Sequence, residues 1–179
     1  MRIARALCGA LLLIGLSVQA SGLGLYVERL EDLTAIFCPV CHQVISPGRI
    51  HENAVDIITT ELGGALEEKG IEYTDEPGEA RALNVLIYRF QERLGGNFSV
   101  ERPASVGFHV HLFEEGRLLK IFVFDETQQP VSENILRFFT FLRRGAKWIT
   151  AEALAREGVD KAVGFFLEDL EPPPAPEER

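Results

Sequence analysis

The spacing of apolar residues divides the chain into a helical stretch and a β-rich stretch. Ile50, Ala54, Ile57, Ile58, Leu62 and Leu66 recur at intervals of three and four, one face of a helix, and Gly70 supplies its stop. Ahead of it, Leu33 to Phe37 reads as a first strand and Cys38 to Gly48 as a loop closed by Ser46-Pro47-Gly48. Ile71 to Thr74 reads as a short strand and Pro77 to Leu83 as one or two helical turns. The period then changes to two. Asn84 to Glu92, Val100 to Phe113 and Arg117 to Glu126 predict three strands joined by turns at Gly95-Gly96 and Glu114-Glu115-Gly116.

Along the middle strand, Val106, Phe108, Val110 and Leu112 share one face, with Ser105, Gly107, His109 and His111 on the other. The third strand is apolar on both faces at its centre, Ile121 and Val123 opposite Phe122 and Phe124, so its second face must be partly covered. After Pro130 the helical period returns. Ser132 caps a helix over 133–142 ended by Gly145, and Thr150 caps a final helix running to about Leu170. The order is β-α-β, an antiparallel meander and C-terminal helices, which predicts an α/β fold in a two- or three-layer sandwich.

The two ends carry other signals. Arg2 and Arg5 precede an uncharged apolar run from Ala6 to Val18, and Val18-Gln19-Ala20 offers small residues for a signal peptidase. Residues 1–20 are therefore expected to be a cleaved secretory signal, residues 21–170 one domain, and the proline-rich stretch 171–179 a disordered tail. The expected address is the periplasm. Cleavage takes away Arg2 and Arg5 from a chain whose net charge is already −9. That balance opposes binding to nucleic acid or to an anionic membrane surface. Of the three cysteines, Cys38 and Cys41 remain after cleavage, and the single methionine goes.

One motif carries chemistry. Cys38-Pro39-Val40-Cys41-His42 fits C-x-x-C-H, the attachment pattern of covalent haem in exported proteins, with His42 as the axial ligand. Without methionine in the mature chain, His51, His109 or His111 would have to be the sixth ligand. Three other readings stay open. The pair can be a dithiol of the thioredoxin kind, although Ser46-Pro47-Gly48 breaks the helix expected after it. It can bind zinc with two of His51, His109 and His111. Or it is a structural disulfide stiffening a loop, with His42 an ordinary polar residue. On the strand itself, His109 and His111 are expected as half-exposed polar residues.

Three strings, RLGGNFSVERPASV at 93–106, FDETQQPVSEN at 124–134 and FLRRGAKWITAE at 141–152, resemble a family of small exported bacterial proteins described as lipoproteins of unknown function. The resemblance covers about residues 84–160. It implies an α/β domain of the kind found in envelope-assembly accessory proteins, and brings no catalytic residue. The chain departs from it in lacking a cysteine at the cleavage point, so outer-membrane association would run through a partner. The expected function is a non-catalytic periplasmic binding or assembly module, its apolar surplus at Phe138, Phe139, Phe141, Phe165 and Phe166 offering a groove for a lipid, peptide or protein partner. The alternatives are a monohaem electron-transfer protein and a thiol-disulfide oxidoreductase.

Overall fold

A computed structural model of the chain describes residues 22–76, 79–95, 100–127 and 149–170. The expected signal segment, the helix over 133–142 with its phenylalanines, the Gly95-Gly96 turn beyond Gly95 and the proline-rich tail lie outside the described residues. The elements run β1 (Leu23–Arg29), α1 (Ala54–Glu68), β2 (Tyr73–Thr74), β3 (Arg81–Gln91), β4 (Leu94–Gly95), β5 (Val100–Arg102), β6 (Ser105–Glu114), β7 (Arg117–Thr127) and α2 (Ala151–Leu170). Among the described residues they form a five-stranded sheet in the order β2-β1-β3-β6-β7, with β4 and β5 as a separate two-stranded pair. β1 runs parallel to β2 and β3, and β3, β6 and β7 form the antiparallel meander. The α/β sandwich read from the periodicity is the architecture observed.

Alternation explains which face is which. Leu25 on β1, Leu83, Val85 and Ile87 on β3, Val106, Phe108, Val110 and Leu112 on β6, and Phe124 on β7 are all buried in one cluster with α1 and α2. α1 contributes Ala54, Ile58, Leu62 and Leu66, and α2 contributes Leu154, Ala155, Val159, Val163 and Phe166. Gly158 lets α2 lie close to the sheet, because a Cβ there would stand 2.7 Å from Phe124 Cδ1 and 2.9 Å from Phe108 Cζ. Across the two helices, Arg156 grips Glu61 through two hydrogen bonds of 2.7 and 2.6 Å.

The ends of the elements follow local chemistry. Gly70 closes α1 at φ 71, donating to Glu67 O while Ile71 N donates to Leu66 O, the Schellman pattern. Thr150 caps α2 by accepting from Ala153 N at 3.1 Å, as the sequence predicts. Glu115 and Gly116, with φ of 50 and 75, make the two-residue turn between β6 and β7.

Four expectations need correction. The first strand is Leu23–Arg29, and residues 33–37 are turns with only an isolated bridge between Phe37 and Val44. Asp32 Oδ1 accepts from both the amide and the hydroxyl of Thr34, which folds that stretch into a turn and leaves Leu33, Ile36 and Phe37 about half exposed. Ile50 belongs to a parallel bridge with Phe90, and the helix starts only at Ala54. Arg81 to Leu83 are already strand, not a helical turn. The stretch from Val100 to Phe113 is two strands interrupted at Pro103-Ala104, where proline has no amide to donate.

The opposite face of the sheet carries the loop between β1 and α1. Leu30, Cys38 and Ile45 from that loop bury a second, smaller core against Leu86 and Tyr88 of β3, with Cys41 packed at its margin. A bulge on β3 between Ile87 and Arg89 allows both arrangements, keeping Ile87 and Phe90 toward the helices while Tyr88 turns to the loop side. Gly107 on β6 makes room for the Tyr88 ring, which any side chain there would strike.

Candidate metal centre

The loop brings its two cysteines back onto the sheet through a tight hairpin. Cys38 N donates to Gln43 O at 2.8 Å, His42 N to Cys38 O at 2.9 Å and Ile45 N to Ile36 O at 3.0 Å. His42 occupies the left-handed region at φ 58, which reverses the chain just after the second cysteine. The hairpin is tied down at its far end by Gly48 N donating to Tyr88 O and His51 N to Phe90 O.

Beneath it, β6 presents His109 and His111. Being two residues apart on a strand, they point to the same side, opposite Leu86 and Asn84 of β3 and Val123 and Ile121 of β7. Cys38 Sγ lies 3.5 Å from His111 Nε2, and Cys41 Sγ lies 3.4 Å from His109 Nδ1. The four donor atoms of Cys38, Cys41, His109 and His111 all lie within 4.8 Å of one another. Cys38, His109 and His111 are fully buried and Cys41 is half-buried. The expectation that the two histidines would be half-exposed polar residues is therefore overturned: the 30–50 loop covers the face on which they stand.

The electrostatics favour neutral imidazoles. Burial pushes His109 down to about 4, with His111 nearby adding to the effect and Asp125 opposing it. Burial likewise lowers His111, against the pull of the Asn84 backbone and Glu28. Burial raises the Cys41 thiol, while the Gln43 backbone amide pulls the other way. Without a metal, then, the Cys41 thiol keeps its proton beside the neutral His109 imidazole. Among the described residues, neither His109 Nε2 nor His111 Nδ1, both buried, makes a well-formed hydrogen bond, an unusual cost for two adjacent side chains.

This donor set fits one tetrahedral ion. With Zn–S near 2.3 Å and Zn–N near 2.0–2.1 Å, a tetrahedron places sulfur and nitrogen about 3.6 Å apart. The two sulfur–nitrogen separations of 3.5 and 3.4 Å already match that edge. Two thiolates cancel the charge of a divalent zinc ion, which makes a buried site tolerable. Two thiolates with two imidazoles at tetrahedral spacing suit zinc rather than the oxygen-seeking calcium or magnesium. Four protein ligands fill the coordination sphere, the pattern of a structural rather than a catalytic centre.

The remaining histidines stand apart. His42 is exposed, and His51 is exposed with Nδ1 accepting from Asn53 N at 3.3 Å. A haem bound through C-x-x-C-H needs both sulfurs and His42 on one accessible face. Here the sulfurs turn inward to His109 and His111 while His42 turns outward, so the arrangement does not fit haem. A cavity of about 890 Å³ does lie beside the loop, lined by Glu28, Leu30, Asp32, Phe37 and Pro39 among others, but neither cysteine faces it. Nor does a helix begin at the cysteines, since α1 starts at Ala54.

Beside the histidines sits a polar network. Tyr88 packs edge-on against His109 with ring centres 5.2 Å apart and donates to Asp125 Oδ2 at 3.0 Å. Arg89 pairs with the same carboxylate. Burial and the Asp125 charge hold the Tyr88 phenol far above its ordinary value.

No protein-family model matches the chain, and no curated protein matches it. Solved structures similar to it include a Xanthomonas campestris protein of the DUF330 family, 14% identical with a TM-score of 0.48, covering 82% of this chain and 85% of that one. The PelC dodecamer from Paraburkholderia phytofirmans is 9% identical with a TM-score of 0.49, over 80% of this chain and 84% of that one. A minor lipoprotein from Acinetobacter baumannii is 11% identical with a TM-score of 0.32, over 79% of this chain and 93% of that one. These likenesses are too distant to transfer a role, so the functional reading rests on the cysteine–histidine cluster.

Proposed function

We propose that this chain is an exported, non-catalytic binding module of the cell envelope whose β1–α1 loop is fastened to the sheet by one zinc ion. Cys38, Cys41, His109 and His111 are its ligands. The observation that carries the reading is the convergence of four donor atoms within 4.8 Å, from a loop and a strand about 70 residues apart in sequence. Export is supported by the charged and apolar pattern of residues 2–20. The absence of an open coordination position argues against hydrolytic chemistry at the ion. A binding role is supported by the loop itself, which the metal holds as one wall of the cavity at Phe37 and Pro39.

Metal analysis tests the proposal directly. The full chain, expressed with export and purified without chelator, is expected to carry one zinc per molecule. Cobalt substitution should give the intense visible bands of a tetrahedral thiolate site, lost in Cys41→Ser. A metal-free protein that takes up neither zinc nor cobalt after reduction would overturn the proposal. A Soret band would instead support the haem reading.

A further inference from the structure

We infer that the zinc centre is a redox-released clasp: a disulfide oxidant ejects the ion by linking Cys38 to Cys41. The inference deepens the zinc reading and rests on it. Both thiolate ligands come from one C-x-x-C hairpin, and their sulfurs already lie within 4.8 Å of each other. Adjacent cysteines of this kind have two competing fates, metal thiolate or disulfide, and they exclude one another because each consumes the same two sulfurs. The two sulfurs also differ in access: Cys38 is 0% exposed, whereas Cys41 is half-buried at the margin of the loop.

That asymmetry assigns the roles. Cys41 Sγ, held as thiolate by the ion, attacks one sulfur of a small disulfide, forming a mixed disulfide and expelling one thiolate. Cys38 Sγ then attacks Cys41 Sγ, forming the Cys38–Cys41 bond and expelling the second thiolate. The two cysteines lose two electrons, the oxidant gains them, two protons from solvent neutralise the departing thiolates, and one zinc ion leaves. Closing the sulfurs to about 2.05 Å breaks the tetrahedral spacing to both histidines. His109 and His111 are then buried with neither metal nor thiol to satisfy them, so the hairpin loses its hold on β6 and the cavity wall at Phe37 and Pro39 loosens with it.

The test uses the zinc-loaded full chain with oxidised glutathione as probe and a chromophoric zinc chelator as reporter. One zinc is expected to appear for every two thiols lost, giving a polypeptide two hydrogens lighter than the reduced, metal-free chain, and reductant plus zinc restores the starting state. Cys38→Ser should accumulate a stable glutathione adduct on Cys41, whereas Cys41→Ser should leave Cys38 unmodified. Where either variant fails to fold, the zinc-to-thiol stoichiometry of the unaltered chain decides the question. The inference is overturned if the loaded protein keeps its zinc and both thiols under conditions that oxidise the metal-free protein. It is equally overturned if Cys38 reacts first. Retention of zinc and both thiols would leave the zinc centre standing as a permanent brace, first reaction at Cys38 would refute the order assigned from burial, and a chain that never binds zinc would remove both readings.

Discussion

Withdrawing zinc with a strong chelator is expected to lower the melting temperature while leaving the sheet folded. An ion that binds only the folded chain, present at about 1,000 times its dissociation constant, adds about 4.1 kcal/mol. At about 2 to 4 °C per kcal/mol for a domain of this size, the midpoint falls by about 8 to 16 °C. The sheet survives because the larger core has no buried member in the 30–48 stretch. What the metal-free protein loses is local. The amides of Cys38, Ile45 and Gly48, which donate to Gln43, Ile36 and Tyr88, should exchange with deuterium far faster once the ion is gone. Helix α2, on the other face, should exchange at its former rate. Calorimetry and exchange mass spectrometry, each with and without chelator, provide the two readouts, and Cys38→Ser/Cys41→Ser serves as a variant already insensitive to chelator. Identical melting and exchange in both states of the unaltered chain would refute the claim that a metal fastens the loop.

Other perturbations follow from the same geometry. In the metal-free protein, His109 titrates near 4 when folded against about 6.5 unfolded, so the unfolded chain takes up the proton first. The contribution of His109 to stability is full above about pH 6.5 and declines by about 3 kcal/mol as the pH falls toward 4, measurable by denaturant titration at several pH values; His109→Ala should shrink the decline without abolishing it, because burial also lowers His111. Tyr88→Phe removes a hydrogen bond to the Asp125 carboxylate and should cost about 1 to 2 kcal/mol in the same assay. A matched pair of substitutions in α2 isolates the close approach to the sheet. Gly164→Ala, with no atom of the described residues within 4 Å of the new methyl, should stabilise by about 0.5 to 1 kcal/mol, whereas Gly158→Ala presses on Phe124 and Phe108 and should destabilise by about 1 to 2 kcal/mol. Equal effects at the two positions would contradict the packing described.

The meander was legible in the sequence because alternation reports a face directly, and Val106, Phe108, Val110 and Leu112 stand buried where their period places them. The helix ends at Gly70 and Thr150 were legible because capping chemistry is local. The first strand was not, since residues 33–37 carry the better strand composition but have no strand to pair with, and Leu23–Arg29 gains its place from β2 and β3, far along the chain. Half of the candidate metal centre was legible as C-x-x-C, a spacing that brings two sulfurs together by itself. The other half was narrowed only to two of His51, His109 and His111, because nothing periodic in residues 30–50 says that they lie over the strand pair. Yet a signal was present in the neighbouring strands. Leu86 lies opposite His109 and Tyr88 packs against its ring on one side, Val123 and Ile121 stand opposite the two histidines on the other, and all share their face of the sheet. Two histidines turned to water would not be bordered so largely by apolar side chains, Asn84 opposite His111 being the polar exception. Such a border implies a cover, and residues 30–50, the longest stretch between β1 and α1, are what supplies it. Polar residues beneath that cover need partners, and the two cysteines it carries are the partners they meet.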